Sequence, residues 1–179
     1  MNLRKVNEEI FIADDTIVRC GDAEIEFLKR QAHTSARKRA RICAHKTNED
    51  ALHEMLIVIA AASYIRPHRH VSKSESFHVI EGEVDVAVFD DAGALTDVIE
   101  LGARGSGRNF FYRLSHSAFH TLLIRTDYLV IHEVTNGPFD RAGSVLAHFA
   151  PAENDLDAAR AYMHEVSAQV ARHLGRSAA

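Results

Sequence analysis

Two histidines separated by one residue, His68 and His70, followed five residues later by Glu75, carry the clearest chemistry in this chain. On a β-strand alternate side chains share a face, so His68 and His70 present their imidazoles side by side. A short turn through Val71-Ser72-Lys73-Ser74 then brings the next strand back antiparallel and sets Glu75 beside them. His120, in the apolar run Phe119-His120-Thr121-Leu122-Leu123-Ile124, is the fourth expected ligand. Three neutral imidazoles and a carboxylate suit one divalent transition metal, and iron, manganese, nickel and zinc all accept that donor set. Four protein ligands leave a position open on a metal that takes five or six, which permits acidification of water, polarisation of a carbonyl or hydroxyl, or dioxygen activation. His78, three residues after Glu75, faces the other side of its strand and is set aside as a ligand. His116, in the turn before His120, is read as exposed, the alternative being a contact behind a metal ligand or with the substrate.

Other side chains are candidates for the space around such a metal. Tyr64 and Arg66 share the parity of His68 and His70 and line the same cavity if the strand is regular, an arginine there favouring an anionic ligand. Pro67 can disturb the alternation and leave Arg66 on the solvated face instead. In Leu129-Val130-Ile131-His132-Glu133-Val134, either Glu133 or His132 must face inward, and an inward Glu133 is a candidate acid or base. Arg37, Arg39 and Arg41 belong to a basic run between Lys29 and Lys46 that contains no acidic residue. Such a run is a solvated helix end, a nucleic-acid contact, or a group of arginines folded over a binding site. It has no interleaved aromatics and the whole chain carries a net charge of −4, so nucleic acid is not an expected partner.

The elements that must position these residues are short. Glu9–Ala13 and Thr16–Arg19 read as two strands joined by Asp14-Asp15, and a helix capped by Asp22 follows, with Ile25, Leu28, Ala32 and Ala36 on its apolar face. Met55 to Ile59 reads as a strand. From Tyr64 to about Val134 short strands alternate with turn signals such as Glu81-Gly82 and Asp90-Asp91-Ala92-Gly93, which suggests an antiparallel barrel or jelly roll. After Pro151 a terminal helix carries a stripe of Leu156, Ala159, Met163, Val166, Val170 and Leu174, which packs on the barrel or on a second subunit.

These residues resemble the cupin superfamily. Its first motif, read from Ala62, fits His68, His70, Glu75 and Gly82, with Ala62 in place of the leading glycine. The second keeps His120 but has Ser115-His116-Ser117 before it and Ile124 after it. The stretch Ser63 to His68, the Phe89 to Gly93 turn, Glu133-Val134 with Gly137-Pro138-Phe139, and Phe149-Ala150-Pro151 are similar to the WbuC-type cupin metalloproteins, from about Ala32 to Glu153. That resemblance implies surface-polysaccharide metabolism with sugar nucleotides as ligands, and it favours the arginines at the barrel mouth.

At 179 residues the chain fits one structural domain. Its longest apolar run, Met55 to Ala62, is too short for a membrane span, and the first residues lack a signal-peptide core. A cytoplasmic protein with free thiols at Cys20 and Cys43 is expected. The expected architecture is mainly β: a cupin barrel over 61–150, an N-terminal α/β extension over 1–60 and a C-terminal helix over 151–179. The expected function is that of a mononuclear metal enzyme, an isomerase, epimerase or oxygenase, acting on a small anionic metabolite. The alternative is a non-catalytic binding or sensing protein. Bare strand edges and the terminal stripe point to a homodimer.

Overall fold

The structure, a computed structural model, describes residues 1–140 and 142–176. The chain runs β1 (Leu3–Lys5), β2 (Ile10–Ala13), α1 (Asp22–Thr34), β3 (Arg39–Cys43), β4 (Leu52–Ala60), β5 (His68–His70), β6 (Glu75–Glu81), β7 (Glu83–Phe89), β8 (Leu95–Gly102), β9 (Phe111–Leu114), β10 (Phe119–Ile124), β11 (Tyr128–Asn136), β12 (Ser144–Leu146) and α2 (Leu156–His173). The strands form two facing sheets, of order β1-β2-β3-β4-β11-β6-β9 and β12-β5-β10-β7-β8. This is the expected β-barrel of jelly-roll type, with one helix on the outside of each sheet.

Three apolar layers follow from strand alternation. Met55, Ile57 and Ile59 of β4 face the interior with Phe77, Val79, Leu122, Leu129 and Ile131. Leu56 and Val58 of the same strand face outward, under Leu28 and Ala32 of α1. Burial on both faces explains why β4 reads as an uninterrupted apolar run. Ala159, Val166 and Val170 stand on the inner side of α2, with Val166 and Val170 packed on Ala87, Phe89, Phe119 and Leu123 of the smaller sheet. The terminal stripe is thus used on the chain's own barrel, although Leu156 stays exposed. Asp155 caps this helix, its side chain accepting a bond from the Ala158 amide at 3.1 Å.

Several expectations need correction. Thr16–Arg19 is not a strand; β2 pairs antiparallel with β1 on the preceding side and parallel with β3 on the other. Asp22 is the first residue of α1 and Gly21 its cap, with Glu24 turning back to accept the Gly21 amide at 2.9 Å. β3 and β4 lie between β2 and β11 in the larger sheet, so the barrel takes in residues assigned above to an N-terminal extension. Residues 177–179 of the C-terminal segment lie outside the described residues. Gly82 turns the chain from β6 in one sheet to β7 in the other at a φ of +87°, and a Cβ there would sit 2.6 Å from Thr126 Oγ1.

Candidate metal centre

His68, His70, Glu75 and His120 come together with all four candidate ligand atoms within 4.8 Å of one another. His68 lies directly opposite His120 across the β5–β10 pair. Glu75 does not arrive by the expected hairpin. β5 pairs with β10 and β12, while β6 pairs with β11 and β9, so Val71–Ser74 crosses between the sheets and Glu75 faces the three histidines from the opposite wall.

The hydrogen bonds around the quartet aim its free nitrogens inward. His68 Nδ1 donates to the Arg66 carbonyl at 3.0 Å, and His120 Nδ1 donates to the Ala118 carbonyl at 3.0 Å. A carbonyl only accepts, so both rings carry the proton on Nδ1 in their neutral form and leave the Nε2 lone pair for the cluster. His70 Nδ1 meets Ser144 Oγ at 3.1 Å, and its Nε2 lies 3.2 Å from Glu75 Oε2. Tyr112 donates its hydroxyl to Glu75 Oε1 at 2.9 Å, and His120 Nε2 lies 3.3 Å from the same oxygen. This donor set, with the tautomers of His68 and His120 fixed from behind, fits a divalent transition metal.

The protonation of the quartet follows from its burial. Desolvation, reinforced by the charge of His120, lowers His68 to about 4, so it is a neutral ligand at physiological pH. Burial alone would raise Glu75, but hydrogen bonds from His120 and His70 outweigh it and hold the carboxyl well below the usual carboxylate range. In His120 burial opposes the imidazolium, and the Glu75 hydrogen bond and charge outweigh it, raising the pKa.

The quartet lines a cavity of about 580 Å³ between the sheets. Glu133 faces this cavity, resolving the choice with His132, which turns outward to within 3.7 Å of Glu54. Burial, reinforced by the negative charge of Glu75, pushes Glu133 up to about 8, so it holds a proton at neutral pH. Arg37, Arg39, Arg41 and Arg66 also line the cavity. Arg37 Nε bonds Glu9 at 2.8 Å and Arg39 bonds Glu153 at 3.1 Å, in a cluster of two arginines and two glutamates. Arg66 donates Nε and Nη2 to the Ala147 carbonyl at 3.2 and 2.7 Å. Arg41 enters none of these bonds, and its Nε is buried without a partner among the described residues. Tyr64 is not among the cavity walls; its hydroxyl donates to the Pro151 carbonyl at 3.0 Å and holds the chain entering α2. His78 and His116 are exposed, away from the quartet.

Tyr112 and Ser144 escaped the sequence reading. The alternation Phe111-Tyr112-Arg113-Leu114 was a usable signal for Tyr112, since exposed and buried positions alternate along β9 and put its hydroxyl indoors. Ser144 lies on β12, a three-residue strand with no such pattern.

A family model described as a domain of unknown function (DUF6016) matches residues 21–101, from α1 into β8, including His68, His70 and Glu75 but not His120. No curated protein matches the chain in sequence. Among solved structures, protein SO0799 from Shewanella oneidensis superposes with a TM-score of 0.54 at 12% identity, over 74% of this chain and 86% of that one. An uncharacterized conserved protein with a double-stranded β-helix domain from Klebsiella pneumoniae gives 0.51 at 17% identity, over 75% and 99%. These likenesses show the fold alone: the chain folds as a double-stranded β-helix, and its His/Glu quartet is able to hold a metal.

Proposed function

We propose that this cupin is a mononuclear metal-dependent enzyme acting on a small anionic metabolite. His68, His70, Glu75 and His120 would hold the metal, whose contribution is Lewis acidity or redox chemistry at the end of the cavity. The single observation that carries a catalytic role is Glu133, a half-buried carboxyl held in its protonated form in the same cavity as the quartet. A group poised near neutral pH can give a proton to a substrate atom and take it back, which a purely structural site does not need. Arg41 supplies the positive charge that selects an anion. The WbuC-type resemblance adds sugar phosphates and sugar nucleotides to the anions worth testing, and an isomerase, epimerase or oxygenase to the reactions.

The test begins with elemental analysis of protein purified without a histidine tag. Metal-loaded protein is then incubated with small anionic metabolites, with products followed by mass spectrometry. Turnover that persists at full metal content but is lost in Glu133→Gln supports the reading. Metal below a tenth of an equivalent, or turnover unchanged in Glu133→Gln, overturns it.

A further inference from the structure

Apolar side chains make up much of the wall of the cavity that Arg41, Glu133 and the quartet share. Met55, Ile57, Ile59, Phe77, Leu122 and Ile131 line the cavity, contributed by both sheets. A sugar buried there would bring several hydroxyls against side chains that can neither donate nor accept, at a cost of about 1 to 3 kcal/mol for each unpaired group. An apolar body would instead gain from leaving water. Arg41 stands on β3, three strands from β6 in the sheet order, or about 14 Å at ordinary strand spacing. Among the described residues its buried Nε has no partner, whereas Arg37 and Arg39 are closed in ion pairs and Arg66 is held by a backbone carbonyl. The cavity volume falls in the range that encloses small ligands.

We infer that the ligand of this cavity is an amphipathic monoanion, an aliphatic or aryl carboxylate, with its head on Arg41 and its apolar body on the Ile57 and Ile131 walls, its far end toward the quartet. This rests on the reading of the cavity as a substrate site and narrows it from anions in general to apolar acids. A carboxylate matches a guanidinium with paired, charge-assisted hydrogen bonds, so the head fixes the orientation. Burial of the body supplies the affinity.

Calorimetric titration of octanoate, octanamide and glucose 1-phosphate tests this, with both metal-loaded and metal-free protein. Octanoate should bind with one site per chain, a negative heat-capacity change, and about tenfold or greater preference over the other two. In Arg41→Gln that preference over octanamide should vanish, while metal content stays that of the parent. Should the variant fail to fold, the comparison of octanoate with octanamide on the parent protein decides the matter. Glucose 1-phosphate binding more tightly than octanoate, or octanoate and octanamide binding equally, would overturn the inference. Metal analysis separates this from the enzyme reading. Octanoate bound to protein that takes up no metal keeps the ligand class and removes the metal enzyme. Metal at full occupancy with no octanoate binding does the reverse.

Discussion

His120 and Glu75 set the behaviour of the quartet. Without metal, and at pH below the raised His120 pKa, they form an ion pair, the imidazolium donating to the carboxylate at 3.3 Å. A metal can take the Nε2 lone pair only after that proton leaves. Affinity should therefore fall about tenfold per pH unit below the raised His120 pKa, with one proton released per metal bound, measured by calorimetry in buffers of different ionisation enthalpy. His70→Ala or Glu75→Gln should lower metal content to a small fraction of the parent's and abolish thermal stabilisation by added metal; full occupancy in both would remove the assignment. Glu133 has the opposite sense. Between its ordinary 4.5 and its folded value of about 8, the folded protein holds a proton that the unfolded chain gives up. Stability of the metal-free protein therefore falls as pH rises through that window, and Glu133→Gln should remove the slope. At pH 8 the variant should be the more stable form by an amount on the order of 3 kcal/mol, read from urea unfolding at pH 5 and pH 8.

At the scale of elements, local signals were legible and tertiary pairings were not. His68 and His70 could be read because two residues on one strand face share an environment wherever the strand goes. The wall on which Glu75 stands could not, because the crossing at Val71–Ser74 is decided by β6 pairing with β11, some 60 residues downstream. Glu133 and His132 were indistinguishable because the preceding β11 residues Leu129, Val130 and Ile131 are buried on both faces and carry no alternation. Arg66 had the right parity, but its guanidinium is taken by a carbonyl 81 residues away. The helices were clearer: their stripes are periodic, and each covers one sheet. Leu28 is fully buried beneath α1 whereas Leu156 is 59% exposed at the start of α2. Leu28→Ala should cost about 3 kcal/mol and Leu156→Ala less than about 0.5 kcal/mol, by equilibrium denaturation.

For the whole molecule, the quartet is a tie between the two sheets. Glu75 belongs to the seven-stranded sheet and the three histidines to the five-stranded one, so any ion they share couples walls that otherwise meet through apolar packing. The two sides of that tie are unequal. β11 pairs along its length with β4 and β6, and its own Leu129 and Ile131 are fully buried. β5 is three residues long, meets β10 at a single registered pair and otherwise rests on β12, itself three residues at the sheet edge. Local opening should therefore start at β5 and β12, since few contacts there resist it. Metal binding favours the closed state by its affinity for the assembled quartet. Hydrogen exchange followed by mass spectrometry should show β5, residues 71–74 and β12 slowing about tenfold or more on metal addition, with β4 and β11 unchanged under conditions where only local opening exchanges. Uniform slowing of every strand would mean that exchange proceeds through global unfolding. No slowing at β5 would mean that the quartet does not bridge the sheets.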